Sequence, residues 1–358
     1  MSGTSVFDRF DGHEQVLFTT DEATGLRCVI ALHSTALGPA LGGTRFRPYA
    51  DESAALTDAL RLSRAMTYKA ACAGLDIGGG KAVVIGDPAT LKSEALLRGY
   101  GKAVQSLGGR YIAACDMGTT PADLAVVARE TDWARGCEPV EGGSGDSAAM
   151  TAEGVHLGIK ACLWHRYRSA DLAGRTVAID GVGKVGRRLA ALLHEEGAQL
   201  YVADIDPAAA QSAAVAYDAQ VVERDKLRRL DVDVLSPNAV GGVLDDGTIG
   251  ELRCDIVAGA ANNQLAHPRH ADALARGNIL YAPDFVINAG GLIQVVYELH
   301  RHGPLEARAR AQVTTIQDRL SDIFRLAEEE GVNTERAAMA LAEERLRSVG
   351  RLRSFWTR

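Results

Sequence analysis

Long hydrophobic runs are missing from this 358-residue chain: nowhere do about 18 or more uncharged apolar residues follow one another, the length a membrane-spanning helix needs. The opening MSGTSVFDRFDGHEQ carries acids where a signal peptide needs a basic start and an apolar run, so a cytoplasmic protein is expected. Paired cysteines are missing too. The six present, Cys28, Cys72, Cys115, Cys137, Cys162 and Cys254, form no CxxC, which argues against a disulfide framework or a zinc site. His267-Pro-Arg-His270 has ligand-like spacing, but a proline inside it and no acid or cysteine cluster nearby in sequence make it a polar loop, and no metal is expected. The net charge of −7 is spread over both signs, which disfavours nucleic acid or an anionic membrane as partner and leaves a small molecule.

What is present is ordinary globular composition, 47% hydrophobic and 24% charged, at a length that allows two domains with separate cores. Between Lys92 and Leu107 the residues Leu96, Leu97, Tyr100, Val104 and Leu107 share one helical face. Gly108-Gly109 then stops the helix before a strand-like Tyr111-Ile-Ala-Ala114. Thr176–Ile179 reads as a strand, Gly181–Gly186 as a turn and Arg187–Glu196 as a helix, so two α/β units are expected. Glu141–Ser147, rich in glycine and serine, is either a hinge between them or a surface loop. Val313, Ile316, Leu320, Ile323, Phe324 and Ala327 mark a long amphipathic helix, and Asn333-Thr334 can cap a second. His300 and His302 read as a solvated helix end.

Gly181-Val-Gly183-Lys184-Val185-Gly186 lies between a strand and a helix, the context in which GxGxxG binds a dinucleotide. The first glycine permits the turn, the second lets backbone amides approach a pyrophosphate, and the third lets helix pack on strand. The next strand, Gln199–Ala203, ends at Asp204, where a carboxylate can accept from the adenosine ribose; Asp206 is an alternative. Two acids and no arginine immediately there favour NAD over NADP. S-adenosylmethionine sites share the glycine pattern and remain open at this point.

Gly78-Gly-Gly-Lys81 is not a triphosphate loop: the opening glycine would fall at Leu75, and Ala82 follows where Ser or Thr is needed. Lys69 lies shortly upstream. Two lysines are commonly solvated surface. If these two share a cleft, each disfavours the other's charge, so one could serve as a base while the other binds an anion. Asp116, at the end of the Tyr111 strand, is either a cap for the next helix or an acid partner.

Taken together, Leu37-Gly-Pro-Ala-Leu41-Gly42-Gly-Thr-Arg45, Met66-Thr-Tyr-Lys69, Gly78–Lys81, Asp116-Met-Gly-Thr119, Ala258-Gly-Ala260-Ala-Asn262-Asn263-Gln264 and Ala282–Gly291 resemble motifs of the leucine, valine and phenylalanine dehydrogenases, in the family's order and across nearly the whole chain. The resemblance implies an α/β fold of two domains separated by a cleft. Residues 1–145 would form a substrate and oligomerisation domain, with helices from about 331–358 packing back on it, and 146–330 a Rossmann-type NAD domain. It further implies that Lys69 binds the substrate carboxylate, Lys81 is the general base or proton relay, and Asp116 assists proton transfer at the amine. Thr151 would contact the nicotinamide amide. Gly181, Gly183, Lys184, Val185, Gly186, Asp204, Ala239, Ala260 and Asn262 would line the cofactor, and Gly42, Met66, Asn263 and Asn288 the substrate. The Glu141–Ser147 segment then reads as a hinge.

In the related glutamate dehydrogenases a cation and a hydroxyl meet the distal carboxylate; the corresponding positions here resemble Leu41 and Val295, both apolar, so a glutamate substrate is disfavoured. Gly291-Leu292-Ile-Gln294 resembles the phenylalanine enzymes. Ala114 resembles the leucine type, where some phenylalanine enzymes have glycine. The expectation is reversible oxidative deamination of L-phenylalanine by a homo-oligomer, with a branched-chain amino acid dehydrogenase as the rival and a non-catalytic NAD-binding regulator behind it. Ser236-Pro-Asn238-Ala239 departs from the Ala-Pro-Cys-Ala of many relatives.

Overall fold

The computed structural model describes residues 6–136, 146–299 and 306–350. His300, His302, Cys137 and most of the Glu141–Ser147 segment lie outside these residues. The chain divides into two compact units, the first drawn from 1–145, 295–305 and 342–358 and the second from 146–294 and 306–341.

In the first unit the strands β1 (Gln15–Asp21), β2 (Leu26–Ser34), β3 (Ala40–Arg47), β4 (Gly78–Ile85) and β5 (Tyr111–Cys115) form a sheet in the order β1-β2-β4-β3-β5. β1 and β2 pair antiparallel, as do β2 and β4, while β3 runs parallel to both β4 and β5. Both sheet faces are covered, which is why β2 and β4 read as near-continuous apolar runs. One face meets α1 (Glu52–Cys72), whose Ala55, Leu56 and Ala59 pack on Val29, Ala31 and Val83. The other meets α2 (Pro88–Leu91), α3 (Glu94–Gln105) and α4 (Pro121–Val127) through Leu91, Leu96, Tyr100 and Leu124. The helix read between Lys92 and Leu107 is α3; the Ser93 side chain accepts from Leu96 N and fixes its start.

The second unit opens with α5 (Ala148–Tyr167) and continues through β6 (Thr176–Asp180), α6 (Lys184–Glu195), β7 (Gln199–Ala203), α7 (Pro207–Tyr217), β8 (Gln220–Val221), α8 (Arg224–Leu227), β9 (Val234–Pro237), α9 (Asp246–Ile249), β10 (Ile256–Val257), α10 (Arg269–Arg276), β11 (Leu280–Tyr281) and α11 (Asp284–Ile287). Its parallel sheet has the order β11-β10-β9-β6-β7-β8. Chain order reverses between β6 and β9, and ligands of such sheets bind at the carboxyl ends of the strands flanking that reversal.

Three helices follow, α12 (Gly290–Tyr297), α13 (Glu306–Glu330) and α14 (Thr334–Gly350). The buried stripe of α13 is Ala309, Val313, Ile316, Leu320, Ile323, Phe324 and Ala327. Asn333 accepts from Arg336 N and starts α14. Residues 306–341 group with the second unit. The first turn of α14 is tied there: Asn333 and Arg336 donate to Asp272, and Thr334 donates to the Tyr281 carbonyl. From 342 onward the helix belongs to the first unit, where Arg345 donates to Asp76.

Candidate active site

In the first unit the chemistry-bearing side chains are set by strand alternation. Leu41, Gly43 and Arg45 alternate along β3, Gly79, Lys81 and Val83 along β4, and Ile112 and Ala114 along β5, with Asp116 one step beyond the strand. Residues two apart point to one face, and Val83 places that face toward α1. Register then brings the row together. Gly43 pairs with Ala114, and Arg45 lies beside Val83. Lys81 Nζ stands 2.6 Å from Asp116 Oδ2, and Arg45 Nε donates to the same oxygen at 2.9 Å. A β-carbon on Gly43 would come within 2.7 Å of Asp116 Cβ and 3.2 Å of Lys81 Nζ, so the pair meets over a position that must lack a side chain. Behind it Arg45 donates to Asp58 of α1 at 3.0 Å, and Asp58 also accepts from Tyr49 and Arg61.

Burial governs the electrostatics. The Lys81 side chain is 7% exposed and Asp116 24%. Desolvation holds the Lys81 amine below the ordinary lysine range; the Asp116 carboxylate opposes this and the Arg45 guanidinium reinforces it. For Asp116 desolvation pushes upward, but Lys81 and Arg45 outweigh it and hold the carboxyl below its usual range. Arg45, between two carboxylates, stays charged despite its burial.

Leu41 and Ala114 are buried on this same face, at 2% and 7% exposure. Met66 and Lys69 lie on α1, both half-buried. Gly78 and Gly79 leave room for neighbouring backbone. A β-carbon on Gly79 would strike Thr67 N at 2.1 Å, and one on Gly78 would strike the Ser34 carbonyl at 1.9 Å. These glycines admit the protein's own backbone to β4 rather than a ligand. Gly42 is likewise closed off by the Gly80 carbonyl, 1.7 Å from a β-carbon there, and its own carbonyl accepts from Tyr111. The second cation held by Asp116 is Arg45. Arg45 stood in a recognised motif without a role, and its odd-numbered phase with Leu41 and Gly43 was the available signal.

In the second unit Gly181 adopts φ +103°, which opens the turn after β6. A β-carbon on Gly186 would lie 1.9 Å from the Gly181 carbonyl, so helix α6 packs against the turn only with glycine there. Gly183 is different: nothing stands within 4 Å of a β-carbon, and Gly183 and Lys184 are exposed at the start of α6. The backbone therefore presents an open helix N-terminus suited to a pyrophosphate. Asp204 accepts from Val182 N and Asp206 N, which fixes the carboxylate at the loop, while Asp206 caps α7. Ala239 lies against Gly181. Asn238 accepts from Ala260 N, and Asn288 donates to the Ala260 carbonyl and to the Asn262 side chain. Thr151 sits against Gly291, whose β-carbon would be 2.8 Å from the Thr151 hydroxyl. Leu292 follows Gly291 and is buried, Val185 and Val295 are half-buried, and Asn263 adopts φ +52°. His270 meets an acid through space after all, 3.2 Å from Asp246, and accepts from His267 N.

The chain as a whole is similar to known proteins. A family model described as "Glu/Leu/Phe/Val dehydrogenase, dimerisation domain" matches residues 13–133, and "Glutamate/Leucine/Phenylalanine/Valine dehydrogenase" matches 142–210 and 201–350. A valine dehydrogenase of Streptomyces coelicolor is 51% identical, covering 94% of this chain and 92% of that protein. The chain belongs to the Glu/Leu/Phe/Val dehydrogenase family. A phenylalanine dehydrogenase of Caldalkalibacillus thermarum is 46% identical, over 99% of this chain and 96% of the relative. The crystal structure of L-tryptophan dehydrogenase from Nostoc punctiforme superposes with TM-score 0.85 at 46% identity, covering 97% and 98% of the two chains. The protein is thus an amino acid dehydrogenase, an oxidoreductase acting on CH–NH2 donors, and NAD is its cofactor. No described helix is long and apolar enough to cross a membrane.

Proposed function

We propose that Lys81 and Asp116 are the acid–base pair of a reversible oxidative deamination of an apolar L-amino acid, with L-phenylalanine the preferred substrate. The observation that carries the reaction is the buried Lys81 amine, 2.6 Å from Asp116 at the carboxyl end of a parallel strand. An amine held below the ordinary lysine range can shed its proton and act as a base. In this reading Lys69 binds the substrate carboxylate and Asp116 takes the amino proton. NAD held at the glycine loop would supply the hydride acceptor for this oxidation. Lys81 then removes a proton from the water that adds to the resulting imino acid, passes it to the nitrogen, and takes up the carbinolamine hydroxyl proton as the C–N bond breaks, so that 2-oxo acid and ammonia are released.

The nucleotide-binding residues in this reading are Gly181, Gly183, Lys184, Val185, Gly186, Asp204, Ala239, Ala260, Asn262 and Thr151. Asn263, Asn288 and Leu292 are proposed for the substrate, as are Leu41, Met66, Ala114 and Val295, whereas Gly42, packed against the Gly80 carbonyl, is left out. Buried Leu41 offers no partner to a distal carboxylate, which speaks against glutamate. Gly291-Leu292-Ile293-Gln294 resembles the phenylalanine enzymes, and the tryptophan and phenylalanine relatives show that aromatic substrates occur at this level of similarity. One observation favours a branched-chain substrate instead: the Ala114 methyl is buried in the row with Leu41, where it takes room a ring would need.

The assay is NADH formation with NAD and, separately, L-phenylalanine, L-tyrosine, L-tryptophan, L-leucine, L-valine and L-glutamate. Highest kcat/KM for phenylalanine is expected; preference for valine or leucine keeps the chemistry and overturns the substrate. We also infer a homo-oligomer, on the dimerisation description of the first domain's family model. Light scattering of the purified protein tests the assembly, and a monomer refutes it.

A further inference from the structure

We propose that Arg45, anchored by Asp58, is a positioning residue that sets the geometry and charge of the Lys81–Asp116 pair; this rests on the catalytic reading of that pair. The guanidinium is 15% exposed and lies between two carboxylates, Nε on Asp116 Oδ2 at 2.9 Å and Nη1 on Asp58 Oδ2 at 3.0 Å. Lys81 Nζ reaches the same Asp116 oxygen. Asp116 is therefore gripped at Oδ2 from β3 and β4 together, and that oxygen is held against the amine. Asp58 is held in turn by the Tyr49 hydroxyl at 2.7 Å and Arg61 at 3.1 Å, so α1 supplies a rigid stop behind Arg45. The planar guanidinium offers a separate nitrogen to each carboxylate at a fixed spacing. A lysine ammonium keeps the charge but meets both through one nitrogen on a flexible stem, without that fixed geometry.

The charged groups that act on Lys81 are Asp116 at the end of β5, Arg45 on β3 and Asp58 on α1. Arg45 disfavours the Lys81 ammonium and Asp58 favours it, so removing one or the other moves Lys81 in opposite directions. Deamination needs Lys81 unprotonated, and kcat/KM rises with pH as that amine loses its proton. Arg45→Gln strips away a repelling cation, raises the affinity of Lys81 for its proton and shifts the rising limb to higher pH. Asp58→Asn strips away an attracting anion and shifts the limb to lower pH. Loss of packing alone would lower stability without giving shifts of opposite sign.

The experiment is the pH profile of kcat/KM for wild type, Arg45→Gln, Arg45→Lys and Asp58→Asn, with the amino acid on which the wild type is most active. The expected results are limb displacements of about half a pH unit or more, upward for Arg45→Gln and downward for Asp58→Asn. Arg45→Lys should keep its limb near the wild-type position but lose about 10- to 100-fold in kcat, because charge is restored without the fork. Unmoved limbs, or limbs that move the same way, overturn the proposal. If Arg45→Gln does not fold, Asp58→Asn decides alone: a downward shift supports the role and an unmoved limb refutes it. Lys81→Ala, assayed alongside, separates the two levels. Full turnover in that variant removes the catalytic reading itself, whereas an inactive Lys81→Ala with unmoved limbs elsewhere removes only the role of Arg45.

Discussion

A β-carbon on Gly43 would stand 2.7 Å from the β-carbon of Asp116, closer than two such atoms can approach. Gly43 also faces Ala114 across the β3–β5 pairing, so the empty position sits in the middle of the row that carries Lys81 and Asp116. Gly43→Ala must therefore push Asp116 or the Cys115 backbone aside, because the Cys115 carbonyl is equally near at 2.7 Å. A displacement of about 1 Å at reacting groups costs about 100-fold in rate. The expected outcome is a kcat loss of that order with NAD affinity retained, measured by steady-state kinetics and by titration of NAD. Wild-type kcat would show that the Lys81–Asp116 contact is dispensable.

The glycines of the nucleotide loop separate folding from binding. Gly183 has open space where a side chain would go and a negative φ, so Gly183→Ala should leave the melting temperature nearly unchanged while raising the Kd for NAD about 10-fold or more, because the new methyl occupies space meant for the pyrophosphate. Gly186→Ala drives a methyl into the Gly181 carbonyl and should destabilise the domain by about 1–3 kcal/mol. Thermal melts with and without NAD check both. Equal destabilisation by the two variants would contradict the separation.

Ala114 tests the substrate reading. Its methyl is buried in the same row as Leu41, and Ala114→Gly should raise kcat/KM for phenylalanine relative to leucine by about 10-fold, in line with about 1–3 kcal/mol for a methyl-sized change in a pocket. Paired kinetics on the two amino acids measure the ratio. A ratio that stays put would remove Ala114 from the side-chain pocket.

Much of this was legible in the sequence, and the gaps have physical reasons. Helix α3 followed from five apolar positions on one face and the stop at Gly108-Gly109, since local periodicity alone decides such a helix. The glycine loop was legible because its strand–turn–helix context is contiguous in sequence. The use of Gly78 and Gly79 was not, because what crowds those glycines is Ser34 and Thr67, brought there by β2–β4 pairing and by α1. Asp58 was invisible for the same reason: one acid on an amphipathic helix reads as solvated face until strand register puts Arg45 opposite it. The bonds that tie Asn333 and Thr334 to Asp272 and Tyr281 span more than fifty residues and leave no local mark in the sequence.

The central claim is that the Lys81–Asp116 pair carries amino acid deamination, and the most direct test is NADH formation by Lys81→Ala beside the wild type, with NAD binding followed separately. The account predicts steady NADH production by the wild type with an apolar L-amino acid. In the variant it predicts a loss of at least about 100-fold with NAD still bound, as expected when a general base is removed. Turnover by Lys81→Ala at the wild-type rate would contradict it.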